Sequence, residues 1–141
     1  MEQARITLQG EGIRDIVRLL QRKESIYYKY ETKDVVILMD EEYYMRIGST
    51  LMSVNILHFK DERTVEIEMI AGGGHDGSTF SGESWGAESK EVKHIALSII
   101  ELCNENNWEI VEVHPEGFRD SLEKVTVKKL MESVLSWFKK E

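Results

Sequence analysis

The sequence predicts an α+β fold with two layers: a mainly antiparallel sheet of about six strands and two to three helices packed on it. Short segments alternate apolar and polar residues, most clearly at Val65, Ile67 and Met69. Longer segments repeat apolar residues at helical spacing. The connections between the middle strands are too short for parallel crossovers, which favours an antiparallel meander. The predicted order is strand, helix, four strands, helix, strand, helix, in a single domain spanning residues 1–141.

The N-terminal segments predict one strand followed by one helix. Residues 5–9 alternate polar and apolar side chains, which predicts a short strand that ends at Gly10. Apolar residues then recur at helical spacing, and this amphipathic helix ends near Lys23. The repeating residues are Ile13, Ile16, Val17 and Leu20.

The four middle strands are predicted at residues 26–31, 35–39, 51–59 and 65–69. Residues 35–39 form an unbroken apolar run, Val-Val-Ile-Leu-Met, which is typical of a strand covered on both faces. In the following strand, alternation places Met52, Val54 and Ile56 on one face. We expect six residues of these strands and of the second helix to share one core: Val36, Leu38, Val54, Ile67, Ile95 and Ile99.

The C-terminal third predicts a long helix, a strand and a last helix. The long helix ends within residues 104–107, because asparagine tolerates the left-handed conformation of a helix C-cap. The last helix is predicted to begin near Thr126, since Leu122 and Val125 fall off its apolar stripe. This helix either covers the second face of the sheet, extends the first helical layer or packs on a second subunit.

The segment 72–87 is rich in glycine and serine and is predicted to lack regular structure. One interpretation is a connector between strand and helix. The other is a ligand- or partner-binding loop, because long irregular loops in small domains are often functional. In that case the binding residues are His75, Asp76, Ser78 and Trp85. The segment lacks a P-loop motif and a nucleophile elbow.

Charge and cysteine content exclude several classes of function. The net charge is −8, and the basic residues are dispersed among acids, which argues against binding to nucleic acid or to anionic membranes. We find no apolar run of about 20 residues and no secretory leader, so the predicted location is the cytoplasm. Cys103 is the single cysteine and is expected to be a buried apolar residue.

The sequence predicts no catalytic residues, no metal site and no cofactor. His94 follows Glu91 at the spacing used in di-iron bundles, but a second such helix is missing and His94 lies off the apolar stripe. Glu66 and Glu68 point to the same side of their strand, and we interpret them as a solvated face rather than an acid–base pair.

Two functional hypotheses follow from these patterns. The first is a small non-enzymatic module that forms a homodimer or binds a protein partner, with Trp137 at the interface. Trp137 lies at the margin of the last helical stripe beside two lysines, whereas Phe138 lies at its centre and is expected to be buried. The second is a small-molecule-binding protein or enzyme with a pocket roofed by 72–87. We favour the first hypothesis.

Overall fold

The predicted order of elements is confirmed by the computed structural model, which describes residues 2–24, 26, 28–44, 49–73 and 81–139. The strands are β1 (Glu2–Gln9), β2 (Tyr28–Glu31), β3 (Val35–Tyr44), β4 (Ser49–Phe59), β5 (Thr64–Gly73) and β6 (Glu109–His114). The helices are α1 (Ile16–Lys23), α2 (Ser81–Asn106) and α3 (Glu116–Lys139), and a 3-10 turn (Ile13–Asp15) precedes α1. No helix in these ranges is long and apolar enough to cross a membrane.

The strands form one sheet in the order β2-β3-β4-β5-β1-β6, and every adjacent pair is antiparallel. The first strand lies inside the sheet because it pairs with β5 on one side and with β6 on the other. Directly opposite residues share a face, so Leu38, Asn55 and Met69 form one row across β3, β4 and β5.

One face of the sheet is covered by α1, α2 and the first turns of α3, and we call it the covered face. Alternate residues of β1 and β5 point into this layer and are fully buried. The helices contribute the apolar residues predicted at helical spacing, and Cys103 is buried among them. Five of the six predicted core residues belong to this cluster: Val36, Leu38, Ile67, Ile95 and Ile99.

The sixth predicted core residue, Val54, lies on the opposite face and is half-buried. Its neighbours in β3 also alternate: Val36 and Leu38 are buried, whereas Val35, Ile37 and Met39 are partly exposed. The prediction that residues 35–39 are covered on both faces is therefore wrong for the single chain. The described helices pack on one side of the sheet and leave the other side uncovered.

The C-terminal end of α2 is fixed by local geometry that the sequence predicted. Asn107 adopts a left-handed conformation with φ 59°. The following Trp108 is buried, and its Nε1 donates a hydrogen bond of 2.8 Å to the carbonyl oxygen of Glu11. Gly10 permits this contact, because a Cβ atom there would lie 2.4 Å from the Trp108 ring.

The described parts of the segment 72–87, residues 72–73 and 81–87, are more regular than predicted. Gly72 and Gly73 extend β5 by pairing with Met52 and Leu51, and α2 begins at Ser81. A strand accepts glycine when its neighbour supplies ladder hydrogen bonds, so glycine content alone is a weak signal for a loop. Only residues 74–80 separate the two elements.

Helix α3 begins at Glu116, ten residues before the predicted start. Its early turns pack on the domain, where Leu122 is buried and Phe118 is half-buried against the core. Leu122 lies about 180° around the helix from Met131, taking about 100° per residue. Leu122 therefore lies outside the apolar stripe, because the first half of α3 packs on the domain with one face and the second half carries its apolar residues on the opposite face.

Candidate functional site

The uncovered side of the sheet, which we call the open face, carries a broad apolar surface. Alternation places its members opposite one another across β2, β3, β4 and β5. Tyr28, Tyr30 and Met52 are exposed by 42–51%, and the others are half-buried. We name this surface the apolar patch: Tyr28, Tyr30, Val35, Ile37, Met39, Met52, Val54, Ile56 and Ile70. Large exposed apolar surfaces are a common feature of interaction sites, so the apolar patch is a candidate for one.

A groove of about 410 Å³ lies at one end of the apolar patch. Its floor is formed by Met52, Val54 and Ile70, and its rim includes the exposed carboxylate of Glu41. Gly72 lines the groove without filling it, since a Cβ atom there would have no atom within 4 Å. The groove therefore offers room for a bulky apolar side chain.

The other half of the open face is polar and carries both acidic and basic side chains. Glu66 and Glu68 of β5 lie here, as predicted for a solvated face, together with Arg5 of β1. Lys60 lies 4.0 Å from Glu66, and Gln3 donates a hydrogen bond to Glu68. The open face thus pairs an apolar surface with a polar, charged border.

The C-terminal half of α3 carries a second exposed apolar surface. Its residues are 47–62% exposed and lie within about 100° of the helix circumference. We name this surface the α3 stripe: Met131, Val134, Leu135 and Phe138. The expectation that Phe138 is buried in its own domain is wrong, because the stripe faces away from the side that Leu122 anchors.

Trp137 lies at the margin of the α3 stripe and is 59% exposed. Its ring centroid is 5.2 Å from that of Phe138, with the ring planes at 76°, an edge-to-face arrangement. The predicted interface residue is thus on an exposed aromatic pair at the end of a helix.

The other predicted binding residues cannot be placed on either surface. His75, Asp76 and Ser78 lie outside the described residues. Trp85 belongs to α2, so its backbone is helical rather than part of a loop, and its side chain lies outside the described part.

A polar contact joins the end of α1 to α2 on the covered side. Glu24 is buried, and its Oε2 lies 3.1 Å from Nε2 of His94. Ser98 donates a hydrogen bond to Oε1 of the same carboxylate. The ring of His94 is largely exposed, as the sequence predicted, and its place in this contact is a structural one that satisfies a buried acid.

Two buried polar side chains on the covered face have no hydrogen-bond partner among the described residues. Asn55 is 1% exposed and Ser53 is 3% exposed, and both project from β4 toward the helices. The amide nitrogen and oxygen of Asn55 and the hydroxyl of Ser53 are unpaired there. Polar groups left unpaired in an apolar core cost free energy.

The thiol of Cys103 is buried on the covered side. Burial raises the pKa of the Cys103 thiol to about 11, which keeps it protonated and unreactive at neutral pH. No group of three or more metal-ligating side chains is assembled within the described ranges.

Comparison of the chain with models of known protein families, with curated proteins and with solved structures finds no match. The function is therefore inferred from the two exposed apolar surfaces and the buried polar pair.

Sequence reasoning missed the apolar patch, although a signal for it is present. Residues 35–39 of β3 are apolar on both faces, and the chain contributes too few amphipathic helices to cover two faces of a six-stranded sheet. Counting helical stripes against apolar sheet faces would have identified an uncovered surface.

Proposed function

We propose that this chain is a small non-enzymatic module of the cytoplasm that acts by forming a homodimer through α3. The observation that carries the proposal is the α3 stripe, which is exposed along about 10 Å of helix from Met131 to Phe138. Leu122 holds the opposite side of the helix against the domain. The stripe is therefore displayed outward by a fixed element, as in an interaction surface.

A second copy of the chain is the favoured partner on electrostatic grounds. Residues 116–141 contain six basic and five acidic residues, whereas residues 1–115 contain 12 basic and 21 acidic ones. The C-terminal segment is thus slightly positive and the rest of the chain strongly negative. A second copy supplies the complementary charge that guides two proteins into register.

Light scattering on the full chain tests the proposal. We expect a dimer mass at micromolar concentration and a monomer mass for Leu135→Glu, which puts a charge on the stripe. Ser136→Glu is the matched control, because Ser136 is exposed on the same helix outside the stripe and its variant should stay dimeric. A monomer mass for the unaltered chain at high micromolar concentration would contradict the proposal.

A second candidate function, binding of a small carboxamide-like molecule, is favoured by the unpaired groups of Ser53 and Asn55. A primary amide presents a donor beside an acceptor, and a carboxamide ligand complements both at once. Ser53 and Asn55 lie on β4, directly opposite Ala71 and Met69 of β5. The strand β5 leads to the predicted loop.

Thermal unfolding with nicotinamide as the probe tests this second candidate. We expect nicotinamide to raise the melting temperature of the unaltered chain but not that of Asn55→Leu. The variant itself should melt at a higher temperature than the free parent, because it removes unpaired buried groups. Destabilisation by Asn55→Leu, with no probe effect on the parent, would assign Asn55 a structural role.

A further inference from the structure

We propose that the α3 stripe of each copy packs on the apolar patch of the other, so that the two copies exchange their C-terminal helices across their open faces. This inference rests on the proposed homodimer and specifies which surfaces meet. The structure supports it in four steps.

The apolar patch needs a cover that the described part of the chain does not supply. Residues 35–39 are apolar on both sides of β3, a pattern typical of strands buried on both faces. The covered face accounts for Val36 and Leu38, but Val35, Ile37 and Met39 remain partly exposed. An amphipathic helix packed on this side would complete the usual layering of helices and sheet.

The chain's own α3 is anchored on the wrong side to provide that cover. Its early turns join the covered-face core through Leu122 and Phe118. A continuous helix that starts on the covered side, with its stripe turned away from the domain, does not reach the opposite face of its own sheet. Within the described ranges no helix covers the open face, so we assign this cover to a second copy of the chain.

Reciprocal exchange covers both exposed surfaces with a single two-fold contact. In such an interface the same two surfaces meet twice, the stripe of one copy on the patch of the other. Pairing of α3 with a second α3 would bury the stripes but leave Tyr28, Tyr30 and Met52 exposed. Pairing of two open faces would leave Phe138 exposed in the same way.

The groove at Gly72 fits the end of the α3 stripe in shape. Phe138 is an exposed aromatic ring, and an aromatic side chain that fills a pocket is the usual energetic centre of an interface. The groove floor is apolar, formed by Met52, Val54 and Ile70. A helix that places Phe138 in the groove therefore buries the ring against apolar side chains.

Disulfide trapping between single-cysteine variants tests the arrangement. Met52→Cys and Leu135→Cys are prepared as full chains carrying different mass tags, mixed and mildly oxidised. The native Cys103 does not interfere, because it is buried and its pKa is raised to about 11. We expect chiefly the mixed disulfide between positions 52 and 135. Glu105→Cys, exposed at the end of α2 on the covered side, is the control and should form little mixed product with either variant.

The possible results separate this inference from the proposed function. A dimer mass together with the mixed disulfide supports both. A dimer mass with mainly the 135–135 product, or mainly the 52–52 product, overturns helix exchange and leaves the homodimer standing. A monomer mass without any disulfide overturns both. Circular dichroism and melting temperature of each variant confirm that it is folded before oxidation.

Discussion

The two faces of the sheet are formed by the same strands, but the described helices pack on only one of them. On the covered face, Ile67 and Leu57 are fully buried beneath the helices. On the open face, Ile70 and Ile56 lie one to three residues away in the same strands and remain partly exposed. Both faces are rich in aliphatic residues, so composition does not distinguish them. The difference lies in whether the chain's own helices reach the face, and it teaches that an apolar strand residue is a core residue only when something packs on it.

The largest expected effect comes from shortening an isoleucine on each face of the sheet and comparing the two losses of stability. Ile67→Ala should reduce the free energy of unfolding by about 2–5 kcal/mol, because it leaves a cavity in a fully buried site. Ile70→Ala removes the same atoms from a half-buried site and should cost less than about half as much. Urea denaturation at a concentration where the chain is monomeric measures both. Equal losses would mean that the open face is as well packed as the covered face.

A second prediction concerns the close approach of Gly10 to Trp108 at the margin of the helical layer. Gly10→Ala should reduce the free energy of unfolding by about 1–3 kcal/mol, because its Cβ would lie 2.4 Å from a ring held by a hydrogen bond to Glu11. Urea denaturation followed by tryptophan fluorescence measures the change in the free energy of unfolding. If Gly10→Ala were as stable as the unaltered chain, the Trp108 ring would have room to move, and packing next to Gly10 would not be tight.

A third prediction uses the pKa of Cys103 to test whether water is excluded from the core on the covered face. The folded pKa of about 11 exceeds the ordinary value of 9.0, so the folded state holds the thiol proton more tightly than the unfolded state does. This contribution to stability, on the order of 2 kcal/mol, is fully present below about pH 9 and is lost as the pH rises through 11. The free energy of unfolding should therefore fall more steeply from pH 9 to 11 in the unaltered chain than in Cys103→Val. Identical slopes would place Cys103 in contact with water.

The smallest predicted effect is on association through the open face. A Cβ atom at Gly72 would have no atom within 4 Å in the single chain, so Gly72→Leu should leave the melting temperature of the monomer almost unchanged. It fills the groove, so we expect the dimer to dissociate about tenfold more readily, a change of about 1.4 kcal/mol. Gly117→Leu is the matched control, because a Cβ atom there also has no atom within 4 Å and lies outside the groove. Analytical sedimentation measures the dimer dissociation constants of the two variants. Equal constants would show that the groove is not part of the interface.

Much of the fold was predictable because its signals are local. Alternation in β5 identified Val65, Ile67 and Met69 as buried residues, and the asparagines after α2 identified its end, where Asn107 is left-handed. Helix boundaries were less predictable. The early turns of α3 were missed because Leu122 is buried on the side opposite the stripe, so a search for one continuous face begins too late.

The candidate site was only partly predictable. The sequence placed Trp137 at the margin of the last helical stripe, and the tertiary structure leaves it exposed. Its role at an interface stays a prediction. The assignment of His75, Asp76 and Ser78 to a binding site stays a prediction. The apolar patch was not predicted as a site, because Val54 and Ile37 carry the same period-two pattern as true core residues.

The sequence by itself determined which residues alternate, where chain reversals fall and which helices have an apolar side, because these properties depend on neighbours within a few residues. Only the tertiary structure decided which of the two apolar sheet faces is covered. That choice depends on contacts between distant segments: α1 and α2 pack on the side of Ile67, and Leu122 holds α3 there as well. Burial is a property of the assembled layers, so a pattern that indicates two apolar faces does not say which one the chain itself will fill.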